Sequence, residues 1–395
     1  MKINKQLHYF IPQKFEYLTK LKKIEYKGVF LKSAFLINII HELVLKHYFL
    51  EDIELKVFKN NYFNLWSLIL RKKYGMNYNK YIDYLIDNGF ITLVSNYYVS
   101  KKSKTYKINH FDPDSIKKCI VYDTILSKKN SREYIEQSIS NYEKSEIDSK
   151  IKKRLIDDIY CVEIDHDKSF EFLNKLKNDN KIDNDKYYKN YNSIEGIKNN
   201  NLFFKFDDYG RFHTNFTILK KEIRQKYLTI DGEEIMEMDI KNSQPLFLAS
   251  LLQEEIDPTD TEIKNFIDLT KNGIFYDYFM DKFGSLSRSE VKLLIYKVFF
   301  GRNGFKSIEN KIFEKIFPKI YGYILDYKKI NDDYRYLSHK LQKMESNFIF
   351  NQVIKEVYEK YPHIKLFTVH DSINFPVKYK KEVEEIFNKN LRKLI

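Results

Sequence analysis

Glu234-Ile235-Met236-Glu237-Met238-Asp239-Ile240-Lys241-Asn242-Ser243-Gln244-Pro245 is the stretch that decides how this 395-residue chain is read. Up to Ile240 it alternates as a β-strand does. Met236, Met238 and Ile240 share one face and Asp239 lies on the other. Asn242-Ser243-Gln244-Pro245 breaks the strand, and residues 246–252 follow as a buried apolar helix. A lone carboxylate is thereby set at a strand's C-terminal end, beside a turn with free backbone N–H groups. A hard cation with oxygen ligands fits such a place. An aspartate before a turn is also a common helix cap.

Two more segments extend the pattern. Ser287 and Glu290 have capping-box spacing, which predicts a helix from about Arg288. Along it Arg288, Lys292, Tyr296 and Phe300 recur every four residues, a slowly drifting stripe roughly 18 Å long. The stripe is cationic at its N-terminal end and aromatic at the other, where Gly301 follows Phe300. A nucleoside triphosphate has the matching polarity: phosphates suit Arg and Lys, and base and sugar suit an aromatic surface. The helix dipole favours anions at the same N-terminal end. The third segment is His370-Asp371-Ser372, between the strand-like runs 365–369 and 373–377. It places Asp371 at a hairpin tip, on the kind of rigid element a metal ligand needs. Two strand-edge carboxylates with a basic and aromatic helix between them suit nucleotidyl transfer by two metal ions.

The three segments, in this order, resemble motifs A, B and C of the family A polymerase superfamily, which includes bacterial and phage DNA polymerases and single-subunit RNA polymerases. The resemblance covers about residues 200–395. It implies an α+β right-hand palm and fingers, with Asp239 and Asp371 as the metal-binding aspartates. Arg288 and Lys292 would hold the triphosphate, with Lys292 also counted as catalytic. Tyr296 would stack by the nascent pair, and Phe300-Gly301 falls where the family usually has Tyr-Gly. Ser243, Gln244 and His370 join the substrate-binding set. The cofactor implied is a pair of Mg²⁺ ions, with Mn²⁺ as a substitute. The helix at 341–357 resembles the one that precedes motif C. Pro245 follows Ser243-Gln244, where family DNA polymerases carry a sugar-excluding Glu. The serine lies four residues after Asp239, nearer the RNA polymerase spacing, as is His-Asp-Ser itself. Phe300 lacks the tyrosine hydroxyl associated with ribose selection. Sugar choice therefore stays open.

Composition agrees with a nucleic-acid partner. Lys and Arg number 68 against 55 Asp and Glu, a formal net charge of +13. The abundance of Lys, Asn, Ile, Tyr and Phe also fits an AT-rich genome. Two cysteines, Cys119 and Cys161, form no CxxC pair, so no zinc site or disulfide framework follows. No apolar run reaches the roughly 20 residues of a membrane span. The N-terminus lacks the apolar core of a signal peptide, and a cytoplasmic monomer is expected.

Upstream, 33–49, 62–73 and 77–88 read as three helices. Extended pieces at 90–94, 97–99 and 105–108 follow. That order is a winged helix's, and its wing would bring Lys101, Lys102 and Lys104 to phosphate. Residues 143–155 alternate in charge like a solvated helix, and 176–192 reads as a polar linker. The expected division is a winged helix at 1–110, a helical, thumb-like linker region at 111–200, and a catalytic palm and fingers at 201–395. The leading function is a template-directed polymerase, a DNA polymerase of a phage or mobile element, acting on DNA template, primer and nucleoside triphosphates. A single-subunit RNA polymerase or primase-like enzyme, a template-independent nucleotidyltransferase, and a DNA-binding replication initiator with a scaffold palm are the alternatives.

Overall fold

A computed structural model describes residues 6–49, 62–64, 67–96, 104–109, 115–126, 147–200, 202–257, 259–302, 307–330 and 333–394. The fold is mixed α+β, with helices predominating and a curled five-stranded antiparallel sheet. The chain divides into two compact units. One comprises 1–137, 164–203 and 218–227; the other comprises 138–163, 204–217 and 228–395.

In the first unit the helix Ser33–Phe49 is followed by the strand Tyr62–Asn64, the helices Ser67–Tyr74 and Tyr78–Asp87, and the strands Ile91–Ser95 and Thr105–Ile108. The three strands form one antiparallel sheet with Thr105–Ile108 in the middle. The expected helix at 62–73 therefore starts later. Tyr62, Phe63 and Asn64 are extended because they pair with Lys107, Tyr106 and Thr105, a long-range contact that overrides local helical pattern. The expected strand at 97–99, with Lys101 and Lys102, lies outside the described residues; Lys104 is exposed.

The polar stretch 176–192 is not a linker. It ends the helix His166–Asn178 and begins another, Asn184–Lys198, whose first turn is capped by Asp183 accepting from Lys186 N at 2.7 Å. Tyrosines replace the missing aliphatic residues. The Tyr191 ring lies 4.5 Å from Phe170 and 4.8 Å from Phe10. The charged run before it contributes the helix Ser149–Ile159, which buries Ile151, Leu155 and Ile159.

The second unit carries the five-stranded sheet, in the order Phe367–Val369, Ser372–Pro376, Glu233–Asp239, Leu228–Ile230 and Val162–Ile164. Glu233–Asp239 and Ser372–Pro376 pair antiparallel, with Met238 opposite Ile373 and Asp239 opposite Ser372. The helix Ser243–Glu255 leaves the Asp239 strand, buried from Ser243 to Leu252. The helix expected at 341–357 runs from Tyr336–Asn347 through a π-helical turn, Phe348–Ile354, into Lys355–Lys360. Among the described residues, no helix is long and apolar enough to cross a membrane.

The helices Thr261–Lys271, Phe275–Met280, Arg288–Phe300 and Ile308–Ile316 meet on aromatic rings. Phe266, Phe275, Phe279, Phe299, Phe313 and Phe317 are wholly buried. Phe279 sits among Phe275, Phe313 and Phe317, with ring centroids at 5.3, 5.7 and 6.1 Å. Truncating Phe279 to alanine is expected to destabilise the second unit by about 3–5 kcal/mol. Denaturant unfolding followed by circular dichroism measures this, and a loss below about 1 kcal/mol would mean the cluster repacks around the cavity.

Candidate functional site

Strand pairing brings the two aspartates together. Asp239 ends its strand opposite Ser372, and Asp371 is the residue before Ser372, in the turn between the last two strands. That turn is tight. His370 is left-handed, with φ of 55°, and exposed, while Ser372 is buried and its Oγ donates to Val369 O at 2.9 Å. The Asp371 carboxyl is held well above the ordinary carboxylate range. Burial raises it first, then the negative charges of Asp239 and Glu345; Lys292 acts in the opposite direction. Asp239, Glu345 and Lys292 therefore all bear on one carboxylate.

The helix between them forms as its sequence dictates. Ser287 caps it, and Glu290 bonds back to Ser287 N at 2.9 Å, completing the capping box. Val291, Ile295, Val298 and Phe299 are buried, and Arg288 and Lys292 are exposed. The Lys292 Nζ lies 5.5 Å from the Tyr296 ring, and the Tyr296 and Phe300 rings are 5.5 Å apart. Gly301 ends the helix where a Cβ would lie 2.4 Å from the Lys297 carbonyl oxygen, so only glycine fits without backbone movement. Arg288 reaches the turn after Asp239: its Nη2 donates to Asn242 Oδ1 at 2.9 Å, and its Nε lies 3.5 Å from Asp277. Its guanidinium also stands 5.3 Å from the centre of the Tyr276 ring.

Ser243 and Gln244 are both buried and turn toward Glu345. Ser243 Oγ and Gln244 Nε2 each donate to Glu345 Oε2 at 2.6 Å. Arg211 closes the other side, donating from Nη2 to Glu345 Oε1 at 2.7 Å. Gly210 lets it approach: φ is +86°, and a Cβ there would come within 3.2 Å of the Ser346 side chain. The Gln244 Oε1 and Asn242 Nδ2 atoms are buried without a hydrogen-bond partner. The His370 ring lies 6.2 Å from His213, which bonds to Asp207 at 2.8 Å. Lys104 belongs to the first unit.

Four residues of this neighbourhood escape sequence reading: Arg211, Asn242, Tyr276 and Glu345. Glu345 had one signal in the sequence: it lies on the Gln- and Glu-containing helix at 341–357 that carries part of the resemblance above. Tyr276 is 2% exposed, and its phenol is pushed up by burial and by Tyr296. Nothing in its sequence neighbourhood marks it. No family model matches the chain, and no curated protein is similar enough to count as a relative.

Oxygen donors at this place suit a hard divalent cation. Two carboxylates repel each other at one edge of a sheet, which a cation would relieve. No group of three or more His, Cys, Asp or Glu able to hold an ion occurs among the described residues. Asp239 and Asp371 are the two carboxylates at this place that could ligate an ion.

The raised Asp371 carboxyl has a stability consequence. The unfolded aspartate ionises near pH 3.9, earlier than the folded one. Stability is therefore lost as pH rises from there toward the folded value. Asp371→Asn removes that loss. In EDTA at pH 8 its Tm is expected to exceed wild type, with the gap closing toward pH 4. A variant Tm at or below wild type at pH 8 would show that the carboxylate is not under repulsion.

Proposed function

We propose that the chain is a nucleotidyltransferase with a family A-like palm and fingers, acting as a template-directed polymerase on nucleic acid. The observation that carries this reading is the convergence of Asp239, Asp371 and Lys292, from a strand end, a hairpin turn and one helix, with Arg288 tied to the turn after Asp239. The reaction proposed is in-line attack of a primer 3′-hydroxyl on the α-phosphorus, with pyrophosphate leaving. When bound, two Mg²⁺ ions would supply activation of the hydroxyl and charge neutralisation at the leaving group. Asp239 and Asp371 would hold them. Arg288 and Lys292, both exposed on one helix, would orient the triphosphate and offset its charge. Tyr296 and Phe300 would offer the base and sugar an apolar wall.

The first unit supports a winged-helix reading. Its order of helix, strand, two helices and two strands, with the last strand central, is that of the fold. The third helix, Tyr78–Asp87, exposes Asn79, Asp83 and Asp87, an acidic face that would meet phosphate poorly. Phosphate contact is therefore assigned to the lysines 101, 102 and 104. A triple Lys→Glu variant at these positions should weaken DNA binding and shallow its salt dependence, by a log–log slope of about 0.9 per lost phosphate contact. Incorporation at saturating template should persist. Equal affinity and slope would reduce this unit to packing.

The catalytic test is incorporation of labelled dNTPs or NTPs in Mg²⁺, with and without template and primer. Asp239→Ala and Asp371→Ala should each abolish incorporation while leaving the circular dichroism spectrum intact. Arg288→Ala and Lys292→Ala should lower kcat/KM for nucleotide by roughly tenfold to a hundredfold. Near wild-type rates in either aspartate variant would contradict the assignment. Incorporation without template would favour the template-independent alternative.

A further inference from the structure

Asn242 occupies an unusual place. It is the residue before the buried helix Ser243–Glu255, 5% exposed, and left-handed with φ of 56° and ψ of 39°. A side chain at that position ordinarily accepts from the helix's first N–H groups. Asn242 makes no such bond. Its Oδ1 accepts from Arg288 Nη2 at 2.9 Å instead. A guanidinium has donors only, so this contact fixes which amide atom faces Arg288. The Nδ2 is left as a donor, buried and without a partner.

A buried donor of this kind needs an acceptor. Arg288 beside it favours an anionic one, and Asp239 three residues earlier belongs to the proposed cation site. Asp277 is the carboxylate near Arg288, at 3.5 Å from Nε, and it lies on the guanidinium rather than on Asn242. A phosphate oxygen accepts from both an amide N–H and a guanidinium, and so suits the two neighbouring donors together. We propose that Asn242 Nδ2 donates a hydrogen bond to a phosphate oxygen of the incoming nucleoside triphosphate, beside Arg288. This rests on the nucleotide-binding reading above and adds a ligand-contacting residue to it. Asn242 thus holds Arg288 with one amide atom and the substrate with the other, joining the turn after Asp239 to the Arg288 helix.

Two substitutions separate contact from scaffolding. Asn242→Asp keeps an acceptor for Arg288 but removes the donor. Asn242→Gly keeps the left-handed backbone but removes the side chain. Binding of a non-hydrolysable nucleoside triphosphate and of inorganic tripolyphosphate to the full chain, in Mg²⁺, is measured by titration calorimetry. Both variants should bind each ligand at least about tenfold more weakly than wild type. Since Asn242→Gly also releases Arg288, it is repeated in an Arg288→Ala background, where that anchor is already gone: the proposal predicts a further loss of at least about tenfold for each ligand, and no further loss would overturn it. Wild-type affinity in Asn242→Asp would overturn the proposal and leave Asn242 as an anchor for Arg288. A wild-type protein that binds neither ligand would overturn the nucleotide reading as well.

Discussion

The site depends on one constraint: the antiparallel register that sets Asp239 opposite Ser372. A strand has a side-chain period of two, so a slip of one residue would turn Asp239 to the other face and away from Asp371. The register is anchored by Ile373 and Phe375, both wholly buried, and by Met236 and Met238 across from them. The cost is a partly buried Asp371 beside the exposed Asp239, and burial first and the Asp239 charge second raise the Asp371 carboxyl. A fold that retains such repulsion stores a demand for positive charge. Lys292 meets part of it from the neighbouring helix.

Glu345 holds the second layer of this arrangement. It is 2% exposed and accepts from Arg211, Ser243 and Gln244. A buried carboxylate is tolerated when charge-assisted bonds satisfy its oxygens. Here the partners come from a hairpin and from the turn after Asp239. The same charge also bears on Asp371, so the residue that fixes the turn adds to the local negative potential. Ser243 and Gln244, expected at the substrate, are both held by this carboxylate, and the Gln244 Oε1 is left without a partner.

The parts legible in the sequence were those with a local cause. The capping box at Ser287 and Glu290, the four-residue stripe that follows, and the strand ending at Asp239 all rest on neighbours within a few residues. The parts that were not legible rest on distant ones. Arg211 and Glu345 are 134 residues apart, and Ser243 and Glu345 are 102 apart. The strand Tyr62–Asn64 read as helix because its partner strand lies far along the chain. The region 176–192 read as a linker because its packing residues are tyrosines rather than aliphatics. Tyr276 became visible only once its helix was folded against Arg288 and Tyr296.

Under the proposed function, Asp239 and Asp371 would together hold a pair of divalent ions at a nucleotide site. Mn²⁺ titration with electron paramagnetic resonance detection, in the presence of a non-hydrolysable nucleoside triphosphate, tests it most directly. The account predicts two ions per chain beyond those bound by free nucleotide, spin-coupled at about 3.5–4 Å, and loss of the coupled signal in the Asp239→Asn, Asp371→Asn double variant. One isolated ion, or a coupled signal that survives in the double variant, would contradict it.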